Sequence, residues 1–473
     1  MDRFEHKRLC IAPKTAMSMA FKRYLDETLL YQFVHYIDKA KPDDDVIHIE
    51  TLEPDVCDAI IIMSPNHDRH IYHEYLRFVA PEKLYIVSIK EQHYSLSQSV
   101  EEPLIDAIEV HSKALDERGV IRKGIAFISK GFIGANNKYL YLDFIRHGIA
   151  CTLITDNQEQ LKELKIHSLP CASLNTQDGD SSIASAKILI FDQGNYTYFY
   201  ISPHQKTIQL WHGVGLKKMA PHTHITYDYF ISTSQWTNDT NFCHIFKAHY
   251  FLDYGYPRNA FLQSPQEEHE DLLFCDKHLF EIVKRKHFKK VVLYMPTTRE
   301  YLFGANASAQ DLLPLHLENL NTHLASTDTL MIIKLHPFIV EFFQKTCNMT
   351  TLSHIRFHSP DGDVYPILKY TDLLISDYSS IVYDFLLLDR PILFFTYDKK
   401  RYEENMGGFL FDYETYSPGE KVTTEKDLIH AISSLEDPFI EERHNMASLF
   451  LTQHPTNVLL RQLVKQIEHN DTL

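Results

Sequence analysis

Several segments of the chain place side chains capable of acid–base chemistry or anion binding directly after short apolar runs. In LWHGVGLKKM, His212 follows such a run and is flanked by Gly213 and Gly215. An unperturbed imidazole pKa of about 6.5 suits proton transfer at neutral pH, and the glycines let a ligand approach the backbone. Lys217 follows within reach of an anion. Because the chain has 28 histidines, most must be surface or core residues, and the position after a strand singles out His212.

Two further segments carry arginines. Arg258 extends from a turn that Pro257 fixes, and Arg299 follows Thr297 and Thr298 in YMPTTRE. The planar guanidinium matches phosphate oxygens, and the threonine hydroxyls suit the same ligand. The alternatives are a solvated arginine at a domain-boundary turn and an ordinary helix N-cap.

The run LMIIKLHP contains Lys334 and His336 on alternate positions. A polar residue within so apolar a strand is costly unless it is paired or functional. A second strand-end histidine therefore makes a facing pair with His212 a reasonable hypothesis.

The segment LLISDYSSIVYDFLLLDRPILFF is the most specific of the set. It predicts a strand and then a helix that Ser379 or Ser380 caps and that continues to Pro391. A helix N-terminus carries unpaired N–H groups and partial positive charge, which favour phosphate. The serine hydroxyls and Asp377 are expected to line its mouth, although the same pattern also describes a purely structural cap.

The elements that position these residues are apolar, β-branched runs separated by helical patterns. One series lies within 124–233 and a second within 291–397, with an acidic break at 266–273 between them. Such alternation is typical of parallel sheets covered on both faces, and two series indicate two doubly wound domains. Ligands bind beyond the carboxyl ends of strands in such sheets, where the segments above fall.

The region before these series predicts a further small α/β unit without a chemical motif. It contains a helical stretch at 21–40 and apolar runs at 46–50, 59–64 and 84–89. The predicted organisation is an accessory unit, a first Rossmann-like domain and a second one, at 1–120, 121–263 and 264–473.

Net charge, cysteine content and the lack of long apolar runs exclude several classes of protein. Forty-seven basic against 63 acidic residues give a net charge of −16, which argues against broad nucleic-acid binding. Seven cysteines without a CxxC pair favour a reducing cytoplasm over a disulfide framework or a structural zinc site. The chain begins MDRFEHKRLC, which lacks the apolar core of a signal peptide, and no run reaches the roughly 18 apolar residues of a membrane span. We expect a cytoplasmic protein that at most rests on a membrane.

Motifs of other enzyme classes are missing from the sequence. A P-loop, a strand-linked G-x-G-x-x-G, a GxSxG and an HExxH are all absent. The carboxylate pairs Asp178–Asp180 and Asp361–Asp363 lie in polar, turn-rich segments and are interpreted as ordinary loop residues. The sequence therefore predicts no metal site.

Taken in order and spacing, the segments resemble the CDP-glycerol glycerophosphotransferase family. Its members are teichoic-acid and capsule polymerases that transfer polyol phosphate from a CDP-activated donor. The resemblance covers about residues 120–425 and rests on the stretches GFIGANNKYLYLDFI, LWHG with its following lysines, GYPRN, MPTTRE, KLHP, SDYSSIVYDFLLLDRPILFF and GGFLFDYE.

The resemblance implies a GT-B fold in which two Rossmann-like domains face a cleft. The C-terminal domain would hold the nucleotide, and the final helix would cross back to the first domain. The implied reaction is in-line transfer of glycerol phosphate, or another polyol phosphate, to a hydroxyl of a glycopolymer or lipid-linked acceptor, with release of CMP.

The resemblance also implies roles for individual residues. His212 would be the general base and His336 would contact the transferred or leaving phosphate, and these two roles are interchangeable at this level. No cofactor is required, and the hypothesis is compatible with Mg²⁺. The implied residues for donor and phosphate binding are Gly213, Lys217, Arg258, Thr297, Arg299, Asp377, Ser379, Ser380 and Asp384.

Two alternatives stay open at this level. A GT-B glycosyltransferase shares the fold and releases a nucleoside diphosphate instead of CMP, and a binding protein on a degenerate transferase fold would release neither. A lipid-linked acceptor would require contact with the cytoplasmic membrane face, which the charge of −16 does not favour. The basic run at 284–290 is either a local membrane contact or a solvated helix end.

Overall fold

The structure contains three β-sheets, each covered by helices. It is a computed structural model that describes residues 2–38, 45–53, 55–64, 68–76, 78–90, 93–97, 103–129, 136–174, 176–193, 200–219, 221–299, 311, 313–335, 339, 352–434, 436–452 and 456–469.

The first sheet has six strands in the spatial order β3-β2-β1-β4-β5-β6. All neighbours are parallel except β5 and β6. The strands are β1 Arg8–Ala12, β2 Gln32–Ile37, β3 Val46–Ile47, β4 Ala59–Ile62, β5 Leu84–Lys90 and β6 His93–Ser97, with helices Ala16–Thr28 and Asp68–Tyr75.

The helix predicted over 21–40 is wrong in its second half. The helix Ala16–Thr28 ends where Leu29 takes an extended conformation, and the chain continues as strand β2. The residues of β2, QFVHYI, are mostly aromatic or β-branched, and such side chains pack better on a pleated strand than on a helix. The apolar side chains common to both halves obscured this change of period in the sequence.

The second sheet has seven parallel strands in the order β13-β12-β11-β10-β7-β8-β9. Its helices include Pro103–Glu117, which packs against Gln177–Ser185, so the helical layer of this sheet begins at residue 103. The strands are β7 Ile125–Ser129, β8 Cys151–Thr155, β9 Cys171–Ser173, β10 Ile188–Phe191, β11 Lys206–Gln209, β12 His222–Ile231 and β13 Phe246–Leu252. The other helices are Asn136–Arg146, Gln158–Ile166 and Pro257–Gln263. A further helical segment consists of Gln235–Thr237, Asn238–Phe242 and Cys243–Ile245.

The third sheet has six parallel strands in the order β16-β15-β14-β17-β18-β19. The strands are β14 Lys290–Tyr294, β15 Thr329–Ile333, β16 Ile355–Phe357, β17 Leu373–Ser376, β18 Ile392–Phe395 and β19 Glu420–Val422. The helices of this sheet are Lys277–Lys284, Leu317–Ser326, Tyr365–Leu368, Ile381–Phe385, Lys399–Met406, Glu425–Ser433 and Ile440–Phe450.

We call residues 103–263 the middle lobe and residues 264–452 the C-terminal lobe. The two lobes pack directly on each other. Trp236 of the middle lobe has its ring 5.0 Å from that of Phe411 and 4.9 Å from that of Phe450. The N–H of Leu410 donates to the carbonyl of Leu216 over 2.6 Å. The two lobes are therefore in direct contact through these residues.

The helix Thr456–His469 lies on the middle lobe, although it follows the C-terminal lobe in sequence. Leu460, Leu463 and Val464 belong to the same hydrophobic core as strands β7, β10 and β11. Arg461 also pairs with Asp143 of the middle lobe over 2.6 Å. The chain thus crosses the cleft a second time.

Candidate functional site

A cavity of about 410 Å³ opens between the carboxyl ends of the second and third sheets. Strand order reverses at β10 and β7 in one sheet and at β14 and β17 in the other, which is where doubly wound sheets bind ligands. The polar lining of the cavity includes His212, Arg258, Lys334, Ser379, Ser380 and Asp384.

His212 leaves β11 through Trp211, which adopts a left-handed backbone with φ of 53°. The Trp211 ring lies 4.0 Å from the imidazole, and the Nδ1 atom of His212 is 2.9 Å from the carbonyl oxygen of Asp192. Because a carbonyl only accepts, Nδ1 carries the hydrogen and Nε2 is the basic nitrogen.

The surroundings of His212 favour the neutral imidazole. The residue keeps some exposure through the cavity, yet protein atoms enclose the ring, and this burial lowers its pKa to about 4. Arg258 lowers the pKa further by repelling a positive imidazolium, while the hydrogen bond to Asp192 opposes both effects. At neutral pH the residue is therefore in the form that accepts a proton.

Arg258 joins the two lobes. One terminal nitrogen donates to Asp384 Oδ2 over 2.8 Å, and the other donates to the backbone carbonyl of His212 over 2.8 Å. Tyr365 also donates to Asp384 Oδ2 over 2.8 Å. Both members of the ion pair are buried, and burial raises the pKa of Asp384 although Arg258 opposes it. Much of the arginine charge is thus compensated by protein, and the pair fixes His212 relative to the C-terminal lobe.

Gly213 of the middle lobe packs closely against Ser380 of the C-terminal lobe. A Cβ atom at this position would lie 2.5 Å from Ser380 Oγ, nearer than any side chain tolerates. The predicted need for glycine after His212 is thus explained by a contact within the protein, which brings the Ser380 hydroxyl next to the histidine loop.

The helix after Ser380 is shorter than predicted. It spans Ile381–Phe385, continues as a 3₁₀ turn through Leu388, and ends at Asp389 with φ of 47° rather than at Pro391. A proline disfavours helical backbone in the residues before it. Ser380 occupies the N-cap position without a side-chain hydrogen bond to the helix. Five helical residues produce a small dipole, so hydroxyls and backbone amides are the main groups available to an anion.

Arg299, Thr297 and Asp377 form a second buried cluster outside the cavity lining. Arg299 donates to both carboxylate oxygens of Asp398, over 3.0 and 2.8 Å, and pairs with Asp377. The N–H of Thr297 donates to Asp377 Oδ1 over 2.8 Å. These contacts lie within the C-terminal lobe and brace the loop that precedes Ser379. A direct role of the three residues in phosphate binding stays a prediction.

Lys217 is not among the described residues that line the cavity. Lys217 pairs with Phe409 in a short antiparallel bridge between the lobes, and its Nζ lies 5.6 Å from the centre of the Tyr402 ring. His336 lies outside the described residues, so the predicted pair of facing histidines stays a prediction.

A buried ion pair that the sequence did not predict joins the lobes near the cavity. Lys138 of the helix Asn136–Arg146 pairs with Asp363 over 2.5 Å, and the Tyr139 hydroxyl donates to the same carboxylate over 2.6 Å. Lys138 and Asp363 are 5% and 0% exposed, so the pair is fully desolvated. The sequence NNK, which places a lysine after two asparagines at the start of a helix, was a pattern from which this pair could have been suspected.

The structure suggests no cation site within the residues it describes. No group of three or more histidine, cysteine, aspartate or glutamate side chains converges there as metal ligands would. Asp178 and Asp180 belong to the helix Gln177–Ser185, and Asp363 is engaged by Lys138.

The family model described as CDP-Glycerol:Poly(glycerophosphate) glycerophosphotransferase matches residues 113–454, well over half of the chain. The chain belongs to this family. The resemblance stated from the sequence is therefore confirmed, and residues before 113 lie outside the match.

Curated relatives of this glycerophosphotransferase family member include two polymer-forming proteins. The teichoic acid poly(glycerol phosphate) polymerase of Bacillus spizizenii is 29% identical over 269 residues, which cover 51% of this chain and 64% of the relative. That of Bacillus subtilis is 30% identical over 257 residues, which cover 50% of this chain and 33% of the relative. The chain thus spans less than two thirds of the length of these relatives.

A solved structure of the wall teichoic acid polymerase TagF shares the fold of this glycerophosphotransferase family member. It superposes with a TM-score of 0.61 at 21% identity, over 78% of this chain and 95% of that one. The expected GT-B arrangement of two Rossmann-like lobes is confirmed.

Among the described residues, no helix combines the length and apolar character needed to cross a bilayer.

Proposed function

We propose that the protein transfers glycerol phosphate from CDP-glycerol to a hydroxyl of a teichoic-acid-type glycopolymer and releases CMP. The observation that carries this proposal is that His212, a neutral base on the middle lobe, lines the same cavity as Ser379 and Ser380 of the C-terminal lobe. Family membership supports the donor, as does a TagF variant crystal that was soaked with CDPG.

In the proposed reaction, the acceptor hydroxyl attacks the phosphorus that bears glycerol. His212 Nε2 takes the hydroxyl proton as the new P–O bond forms, and the bond to the CMP oxygen breaks, so CMP leaves with the electron pair. The Ser379 and Ser380 hydroxyls and nearby backbone amides stabilise the phosphate oxygens. Arg258 contributes by holding the His212 backbone in line with the C-terminal lobe.

The proposed place of action is the cytoplasmic side of the cell membrane, where a lipid-linked acceptor would be presented. This localisation rests on the acceptor class alone. Lys284 ends a helix and Lys290 begins β14, so the basic run between them has the structure of a helix end that precedes a strand.

The test uses the full chain with radiolabelled CDP-glycerol and purified teichoic-acid fragments as acceptor. We expect CMP release in proportion to the label that enters polymer, and neither product with acceptor omitted. Release of a nucleoside diphosphate from a UDP-sugar, without CMP from CDP-glycerol, would instead assign the chain to the glycosyltransferases. Absence of binding and turnover with every donor would indicate a non-catalytic transferase fold.

The same assay with CDP-ribitol decides the polyol. No described residue of the cavity lining distinguishes glycerol from ribitol, and CDP-glycerol is proposed on the family description and the CDPG soak. A faster reaction with CDP-ribitol would keep the phosphotransfer mechanism and change the donor.

A further inference from the structure

One wall of the cavity is a tight turn, residues 359–363, that the protein holds from both lobes. From the C-terminal lobe, Lys334 Nζ donates to the carbonyl oxygens of Ser359, Pro360 and Gly362 over 3.1, 2.9 and 2.9 Å. A Cβ atom at Gly362 would lie 2.7 Å from the His358 ring, so the turn can pass there only as glycine.

The middle lobe holds the same turn through Asp363. Its carboxylate accepts from Lys138 and from Tyr139, and its other oxygen accepts the N–H of Tyr365 over 3.0 Å. These contacts hold the backbone of the turn in one position. Removing one partner of such a buried ion pair is strongly destabilising, so the position of the turn is well maintained. The residue that this bracing presents at the cavity is Asp361.

Asp361 differs from the other carboxylate of the described lining. Asp384 is buried and accepts hydrogen bonds from Arg258 and Tyr365. Asp361 is exposed at the cavity opening. Burial lowers the pKa of the nearby Lys334 ammonium, and the charge of Asp361 partly opposes this effect by raising that pKa. An ionised carboxylate only accepts hydrogen bonds and repels phosphate oxygens. The part of a ligand next to Asp361 should therefore carry hydrogen-bond donors rather than phosphate oxygens, and a CDP-linked polyol supplies such donors mainly as hydroxyl groups.

We propose that Asp361 binds a vicinal diol of the CDP-linked donor. This inference rests on the proposed function and adds to it a subsite for hydroxyl groups in the cavity that Ser379 and Ser380 also line. CDP-glycerol offers two such diols, the ribose 2′,3′-hydroxyls and the terminal pair of the glycerol. Because its backbone is held in place, Asp361 is kept at the cavity, and its two carboxylate oxygens can each accept a hydrogen bond from one hydroxyl of a diol.

The first measurement is the Kd of CDP-glycerol by titration calorimetry for wild type and Asp361→Ala. Hydrogen bonds to a charged group are worth enough that we expect Kd to rise about tenfold. Asp178→Ala, which removes an exposed carboxylate far from the cavity, is the matched control and should stay within about twofold. Asp361→Asn preserves the side-chain shape and provides the same comparison if the alanine variant melts early.

The two diols are separated by analogues. If the ribose is bound, wild type prefers CMP to 2′,3′-dideoxy-CMP and Asp361→Ala loses that preference. If the glycerol is bound, the preference for CDP-glycerol over CDP-propanediol is lost instead, with CMP binding unchanged. Either result supports the subsite.

Failure of this inference is distinguishable from failure of the proposed function. Wild type that binds and consumes CDP-glycerol, together with Asp361 variants that bind it within about twofold of wild type, overturns the diol subsite alone. Wild type that does not bind CDP-glycerol overturns both.

Discussion

Arg258 and Arg299 both follow the apolar runs of a doubly wound lobe, both are almost completely buried, and the sequence predicts the same phosphate-binding role for them. Their counter-charges lie in different places. Arg258 reaches from the middle lobe to Asp384 of the C-terminal lobe, beside the cavity. Arg299 finds Asp377 and Asp398 within its own lobe.

The difference shows that the role of a buried arginine depends on which lobe carries its carboxylate partner. An ion pair within one lobe stabilises that lobe and does not depend on how the two lobes are placed. A pair between lobes also fixes the distance between groups that must act together, here His212 and Ser380. We expect an ion pair within one lobe to affect stability alone, and an ion pair between lobes to affect both stability and catalysis.

The largest expected effect is on the group that Arg258 holds. His212→Ala removes the general base, which typically contributes about 10²–10⁴-fold, so turnover should fall by at least two orders of magnitude. The measurement is CMP release from CDP-glycerol, with circular dichroism to verify the fold. Wild-type turnover in a folded His212→Ala protein would show that the base lies elsewhere.

Replacement of each arginine by lysine tests the comparison directly. A lysine cannot span both Asp384 and the His212 carbonyl, so Arg258→Lys should lower kcat/KM about thirtyfold, the equivalent of one lost charged hydrogen bond. Arg299→Lys should leave kcat/KM within about threefold while it lowers the free energy of unfolding by about 3 kcal/mol. Kinetics and urea unfolding on both variants provide the numbers.

The opposite outcome is equally informative. If Arg299→Lys reduced turnover as strongly as Arg258→Lys, the cluster of Arg299, Asp377 and Thr297 would act on the donor phosphates, as the sequence predicts. The comparison between the two arginines would then fail.

A smaller effect is expected at the serines that face the histidine. Ser379→Ala combined with Ser380→Ala removes two hydroxyls from the proposed phosphate site, and the Kd of CDP-glycerol should rise about tenfold with little change in kcat. Titration calorimetry measures this directly, and unchanged affinity would move the phosphate site to another part of the cavity.

The smallest expected change concerns pH. An ordinary imidazole with a pKa near 6.5 is about 90% protonated at pH 5.5 and would lose about tenfold in rate. Burial lowers the pKa of His212 to about 4, so kcat/KM at pH 5.5 should stay within about twofold of its value at pH 7.5. A decline centred near pH 6.5 that persists when Asp192 is replaced by asparagine would contradict this.

The pH experiment needs one further variant. Burial raises the pKa of the Asp192 carboxyl to about 7, so this group titrates in the same range. Any decline that disappears in Asp192→Asn belongs to that carboxyl and not to His212.

Sequence patterns predicted the sheets well because their central strands, such as β10 and β14, are continuous apolar runs. Shorter edge strands such as β9 and β19, of three residues each, carry too little pattern to be detected. The strand-end rule also located His212, Arg258 and Ser380 at one cavity.

Pairings between distant residues were beyond the sequence. Lys138 and Asp363 are 225 positions apart, and no periodicity relates them. The same is true of the carboxylates that compensate Arg258 and Arg299. Strand ends indicate which residues reach the cleft edge, whereas the partners of those residues depend on how two lobes pack.

The helix Thr456–His469 has a consequence for how the chain is made. Its apolar residues complete the core around β7 and β10, which leave the ribosome several hundred residues earlier. During synthesis, the middle lobe must wait with part of its apolar surface uncovered until this helix emerges. Nascent chains of this protein should therefore expose this surface of the middle lobe to chaperones until the helix Thr456–His469 has emerged.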